Sequence, residues 1–347
     1  MRSICLIRHG EPAFPEGKRV CLGRSDLPLS VQGRLQAALS AYFLSSFPSG
    51  RLFSSPLLRA RETAAFIGEA TVCEELTELD MGAWEGLAFS EIREKWPKVY
   101  RKRGTDPYYT LIPGAEAPGD CTQRMLRCLD ALLGKTDGDI TIVSHAGAIR
   151  SLLCGLHVIQ EKDFLTQPLP YGGITLFTFS NGVFTPVYIG KTPRPTLTRD
   201  ICLRLLRAAG TPENIVRHSL AVERQALHLA EGRPVNRELL SCAALLHDIA
   251  RTAPFHERAG ADRIEALGYS DAAAIIRVHT DLPEQEANTI SESSLLFLAD
   301  KTVSGDMPVP LEVRFGTALK KCTTPEAIEA HTRRYAQAAH ILSLLKE

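Results

Sequence analysis

Two apolar runs, each stopping at a histidine with a glycine close behind, constrain this chain more than any other feature. The first is the β-prone run of residues 4–7, which ends in Arg8-His9-Gly10-Glu11. The second is Ile140-Thr141-Ile142-Val143-Ser144, which ends in His145-Ala146-Gly147 and enters a helix over residues 148–156. Runs of this kind read as buried strands. Open α/β sheets bind ligands at the carboxyl ends of such strands, and Gly10 lets the backbone turn closely around whatever sits there.

An imidazole beside an arginine at a strand end suits phosphoryl transfer through a phosphohistidine. Neutral imidazole is nucleophilic at pH 7, and the charge of Arg8 favours the neutral form of His9. Arginine also grips phosphate with a planar fork of donors. Arg-His-Gly alone fits a solvated histidine at a polar strand end equally well, so the decision falls to the rest of the chain.

Between the two strands, residues 11–26 form a Gly/Pro-rich loop carrying Arg19 and Arg24. Ser30 caps a helix predicted over residues 30–46. A short strand over 51–54 follows, then a helix opened near Pro56, an irregular stretch over 76–86 and a helix over 121–133. Residues 174–179 and 183–189 read as a hairpin around Asn181-Gly182.

Five pieces in this order resemble the branch of the histidine phosphatase superfamily that includes cofactor-dependent phosphoglycerate mutases and α-ribazole phosphatases. They are Leu6 to Glu11, Gly23-Arg24-Ser25-Asp26 with Pro28-Leu29-Ser30, Ser54-Ser55-Pro56 through Thr63-Ala64, Glu78 with Gly82-Ala83-Trp84-Glu85-Gly86, and Ser144 to Gly147. The resemblance implies a three-layer α/β domain in which His9 is the phosphorylated nucleophile. It further implies that Arg8, Arg59 and His145 hold the phosphoryl oxygens, that Glu78 protonates the leaving group, and that Arg24 contacts substrate. Glu85 is the alternative acid. Ala146 departs from the glycine common after the second histidine. No metal is expected in this half, and its compactness favours a phosphatase over a mutase.

The length of 347 residues predicts two domains. Lys191-Thr192-Pro193-Arg194-Pro195-Thr196 has two prolines and no apolar pattern, so it reads as a linker. The expected bounds are 1–190, a linker over 191–198, and 199–347. After the linker helical periodicity takes over, with helices predicted over 212–230, 237–250, 257–267, 271–279, 291–303 and 325–345, giving an all-α second domain.

That second part carries seven histidines (His218, His228, His247, His256, His279, His331 and His340) out of ten in the chain. His247-Asp248 sits in an otherwise apolar helical pattern, and a buried charged pair is expensive unless it is paired or binds a cation. Carboxylate plus imidazole suits Mn, Fe, Mg or Zn. The series Arg217-His218-Ser219, His247-Asp248, His256 with Gly260-Ala261, His279 and Leu298-Ala299-Asp300-Lys301 resembles the HD-domain phosphohydrolases, most of all the bacterial group that cleaves diadenosine tetraphosphate. The resemblance spans residues 211–320. It implies that His218, His247, Asp248 and Asp300 hold one divalent ion and that His256 and His279 complete a second, bridged by Asp248. Arg251 falls where that family places a cation near substrate phosphates; a helix C-terminal charge explains it equally well. His228, His331 and His340 read as surface or core residues.

Composition excludes several other classes. Forty basic residues balance forty acidic ones, which argues against nucleic acid or a membrane surface as partner. Hydrophobic content of 44% and charged content of 23% are those of a soluble globular chain. Nine scattered cysteines without CxxC spacing argue for a reducing cytoplasm, and no leader or membrane-spanning run is seen. The expectation is a cytoplasmic phosphohydrolase acting on small phosphorylated metabolites or nucleotides. The alternatives are a phosphoglycerate-mutase-type phosphotransferase and a phosphatase regulated by a nucleotide-sensing HD module.

Overall fold

Alternate residues of the first strand bury on both of its faces, and this sets the architecture of the N-terminal half. In a computed structural model, which describes residues 2–47 and 50–346, Ile4 and Leu6 pack in one core cluster. Cys5 and Ile7 pack in another on the opposite side. A strand covered on both faces reads as a continuous apolar run, as this one does. Met1, Pro48, Ser49 and Glu347 fall within the expected domain bounds and lie outside the described residues. The chain divides into two units, residues 1–195 and 196–347.

In the first unit, β1 (Arg2–Arg8) is followed by α1 (Val31–Leu44), β2 (Arg51–Ser54), α2 (Leu58–Ala65) and β3 (Thr71–Val72). Then come α3 (Phe89–Lys95), α4 (Pro97–Thr105), α5 (Pro118–Gly134), β4 (Ile140–Ser144), α6 (Ala146–Gly155), β5 (Ile174–Ser180) and β6 (Val183–Lys191). The described residues form a six-stranded sheet in the order β3-β2-β4-β1-β5-β6. Strands β1 to β4 run parallel, while β5 is antiparallel to β1 and β6 to β5. Ser30 caps α1 by accepting from the Gly33 amide at 3.0 Å. Asn181 and Gly182, both at positive φ (51° and 79°), turn the β5–β6 hairpin.

Register brings the two strand-end histidines together. Arg8 of β1 stands opposite Ser144 of β4, and the His9 amide donates to the Ser144 carbonyl at 3.0 Å. Gly10 also meets a packing demand. A Cβ there would lie 2.2 Å from the carbonyl oxygen of Gly33, so the strand end approaches α1 closely. Helices α3 and α4 have no counterpart in the sequence reading, because they bury only Ile92 and Arg103 respectively and so carry little apolar periodicity.

The second unit holds α7 (Arg199–Ala209), α8 (Glu213–Leu229), α9 (Arg237–Leu246), α10 (His256–Glu265), α11 (Ser270–Val278), α12 (Glu284–Ala287) and α13 (Glu292–Lys301). A ribbon of β7 (Val303–Ser304) and β8 (Met307–Pro308) precedes α14 (Leu311–Leu319) and α15 (Pro325–Leu344). One expectation needs correction here. The helix predicted over 237–250 ends at Leu246, so His247 and Asp248 lie in the turn beyond it, where consecutive side chains can face one site. No described helix is long and apolar enough to cross a membrane.

Candidate functional sites

In the first unit, His9 is buried and its ring is fixed by the backbone. Nδ1 lies 2.6 Å from the Gly10 carbonyl. A carbonyl only accepts, so Nδ1 carries the proton and Nε2 keeps the lone pair. Arg59 Nε donates to that Nε2 at 3.2 Å. Burial, then the charges of Arg59 and Arg8, hold the His9 imidazole well below its ordinary pKa. His145 is fully buried with its ring centroid 4.9 Å from that of His9. It shares a 2.7 Å hydrogen bond with Ser55 Oγ through Nε2, and it too is held far below its ordinary value, chiefly by burial.

Arg59, 1% exposed at the start of α2, is locked by the loop before α1. Its Nη1 and Nη2 donate to the carbonyls of Ser25 and Gly23, both at 2.7 Å. Thr63 joins it to the strand end, taking the Gly10 amide (3.0 Å) and giving its hydroxyl to the Arg59 carbonyl (2.8 Å). Arg8 lies over Tyr171, its Cζ 3.7 Å from the ring centre, and donates to the Leu169 carbonyl at 2.6 Å. Glu78 caps α6. Its Oε1 accepts from Leu79 and Ala148 (2.8 Å each), and its Oε2 accepts from Gly147 (3.0 Å).

A cavity of about 470 Å³ opens on this cluster, and Arg8, His9, Arg59 and Glu78 line it. His145 is packed behind, off the lining. Arg24 does not line the cavity either. Its guanidinium is engaged by Glu116 (3.2 Å), Asp80 (3.7 Å) and the Glu78 carbonyl (3.3 Å). Glu85 is also absent from the lining. Its carboxylate accepts from the amides of Gly23, Arg24 and Ser25 at 3.0–3.2 Å. Sequence reasoning passed over Tyr171, Arg103 and Arg150, which reach the lining from distant segments.

In the second unit, four histidines and two aspartates converge. His218, His247 and Asp300 offer donor atoms within 4.8 Å of one another, as do His247, Asp248 and His279. His256 Nε2 lies 3.2 Å from Asp248 Oδ1. Three of the rings are oriented alike. Nδ1 of His218, His247 and His279 each sits 2.7 Å from a backbone carbonyl (Gly305, Ala244 and Ile276), which leaves Nε2 turned to the cluster. Backbone anchoring of this kind fixes a histidine for metal binding.

His247 Nε2 and Asp248 Oδ1 are buried without a hydrogen-bond partner. Such atoms are costly to strand in an apolar setting, so the donor set fits a divalent cation. Burial pushes His247 down to about 4. Burial opposes ionisation of Asp300, yet Lys301 and His218 hold it well below the ordinary carboxylate range. A cavity of about 760 Å³ is lined by His218, Asp248, Arg251, His256 and Asp300, while His247 and His279 lie buried beneath. Arg251 Nη1 donates to His256 Nε2 at 2.8 Å.

Fold and family models together define a chain of two domains. It belongs to the histidine phosphatase superfamily (branch 1), whose model matches residues 4–192, and it carries an HD domain, matched over residues 215–304. HD domains form a metal-dependent phosphohydrolase family. The chain is 34% identical over 157 residues to a bifunctional protein of Mycobacterium tuberculosis, a match covering 43% of each chain. It thus spans less than half the length of that relative. It is 31% identical over 171 residues to phosphoserine phosphatase 1 of Hydrogenobacter thermophilus, covering 47% of this chain and 80% of that one. The solved structure of YhfR from Bacillus stearothermophilus shares the fold, with a TM-score of 0.51, 24% identity, and coverage of 55% of this chain and 98% of that one.

Proposed function

We propose that the N-terminal domain (residues 1–190) is a phosphomonoesterase working through phospho-His9, joined by a linker (191–198) to an HD domain (199–347) that cleaves a nucleotide phosphoester or phosphoanhydride. One observation carries the first half: a buried imidazole, neutral by burial and by two arginine charges, whose unprotonated Nε2 faces the cavity cluster.

His9 Nε2 attacks the phosphorus of the monoester, forming the N–P bond as the P–O bond to the leaving group breaks. Arg8 and Arg59 match the charge on the equatorial oxygens, with neutral His145 packed against His9 behind them. Glu78 gives the departing oxygen a proton. Its Oε1 already accepts two amides and its Oε2 only one, so Oε2 has the lone pair free to carry that proton. Water then attacks the phosphoryl group, the N–P bond breaks, and the water's proton returns to Glu78.

In the HD domain His218, His247, Asp248 and Asp300 would hold one divalent ion, with His256 and His279 completing a second across Asp248. Mn, Fe, Mg or Zn, when bound, supplies Lewis acidity to a phosphate group and lowers the pKa of an attacking water. The Asp248 oxygens support a bridging role, since Oδ2 lies toward His247 (3.5 Å) while Oδ1 lies toward His256 and His279 (3.2 and 3.7 Å).

The test separates the halves. We expect p-nitrophenyl phosphate hydrolysis without added metal to disappear in His9→Ala and survive in Asp248→Ala. Mn²⁺-dependent cleavage of diadenosine tetraphosphate should do the reverse. Metal-dependent binding without cleavage would make the HD half a sensor, and phosphate transfer between sugar acids in place of release to water would make the first half a mutase.

A further inference from the structure

The HD cavity is not walled by the HD-matched segment alone. Arg314 and Phe315 of α14 and His331 of α15 also line it, and both helices follow residue 304, where the family match ends. Five fixed cations stand on the lining: Arg217, Arg251, Lys301, Arg314 and Arg334. Three are engaged by the protein itself. Arg251 donates to His256, Lys301 Nζ lies 2.7 Å from Asp300, and Arg334 grips Asp281 through Nε and Nη2 at 3.0 and 2.7 Å.

Arg217 and Arg314 are different. Among the described residues neither guanidinium makes a hydrogen bond or ion pair, and Arg314 Nε is buried without a partner. A guanidinium cannot shed its proton. A buried N–H of fixed charge with no acceptor is therefore a standing cost, relieved when an anion enters. The remaining carboxylate on the lining, Asp306, is exposed and forms no ion pair among the described residues. The arginine that sequence resemblance placed near phosphate, Arg251, is meanwhile half committed to the metal-donor cluster.

We propose that Arg314, with Arg217, forms an anion subsite for a second phosphate group of the substrate, apart from the phosphate held at the aspartate–histidine cluster. The subsite makes the cavity select chains of two or more phosphates over a single phosphate. This rests on reading the HD domain as a phosphohydrolase and adds a recognition element from outside the HD-matched segment.

The test is calorimetric titration of the full-length, Mn²⁺-equilibrated protein with tripolyphosphate, supplied as its magnesium complex, and separately with orthophosphate. The phosphatase half is the same in every variant, so differences report on Arg314. Arg314→Ala should weaken tripolyphosphate binding by about 10- to 100-fold, as expected for lost charge-assisted hydrogen bonds, and shift orthophosphate less than twofold. Arg314→Lys should recover part of the affinity, which rules out a folding defect. Equal weakening of both ligands, no weakening, or no tripolyphosphate binding by the parent overturns the proposal. Arg314-dependent binding in a parent that cleaves nothing would keep the subsite and remove the hydrolase reading. Metal-dependent cleavage untouched by Arg314→Ala would do the opposite.

Discussion

Glu85 and Arg59 grip the same three-residue loop through its two kinds of backbone group. The Glu85 carboxylate accepts the amides of Gly23, Arg24 and Ser25, while the Arg59 guanidinium donates to the carbonyls of Gly23 and Ser25. Gly23 permits this sandwich, since a Cβ there would lie 2.5 Å from Glu85 Oε2. The carboxylate thereby sets where this cavity-lining arginine stands.

Glu85→Ala should consequently lower kcat/KM on p-nitrophenyl phosphate by on the order of 10²-fold, the scale of a roughly 1 Å misplacement. Combined with Arg59→Ala, it should add little beyond Arg59→Ala alone, because both act on one group. A double variant whose losses simply multiply would make Glu85 an independent contributor, such as the acid itself.

Acid should leave the buried His9 imidazole neutral. Burial first, then Arg59 and Arg8, hold His9 well below 6.5, so its ring-proton NMR shifts should stay flat from pH 8 down through 6. A His9 midpoint at or above 6.5 would contradict the site's electrostatics. The same depression has a sign for stability. His9 and His145 stay neutral in the folded protein while the unfolded chain takes up protons as pH falls through 6.5. Unfolding free energy should therefore drop on acidification below that point, which urea titrations at pH 7 and 5.5 can measure.

Divalent metal should raise the melting temperature. Ions that bind only the folded cluster stabilise it by about 2.7 kcal/mol at a hundredfold excess over Kd. Mn²⁺ should produce a concentration-dependent shift that Asp248→Ala abolishes and a chelator reverses. An unchanged melting curve would mean that the stranded atoms of His247 and Asp248 serve something other than a metal.

Much of this was legible in the sequence, for a physical reason. His9 and His145 sit at the ends of apolar strands, and strand ends are where pattern, position and chemistry coincide. Ser30 and Asn181-Gly182 announced a cap and a turn through local backbone chemistry alone. What stayed hidden depends on contacts between distant segments. Arg24 has the right charge in the right motif, but Glu116, 92 residues away, holds it outside the cavity. Tyr171 reaches Arg8 from a loop without a motif, and Arg314 lies in a helix that ordinary periodicity did not reveal.

His9 and three of the HD histidines share one device, a main-chain carbonyl addressed to Nδ1. For His9 the consequence is regiochemical. With Nδ1 occupied by the Gly10 carbonyl, only Nε2 can accept the phosphoryl group, so any trapped intermediate is a single positional isomer. Antisera that distinguish the two phosphohistidine isomers would then read, from a blot, the direction in which one peptide carbonyl points.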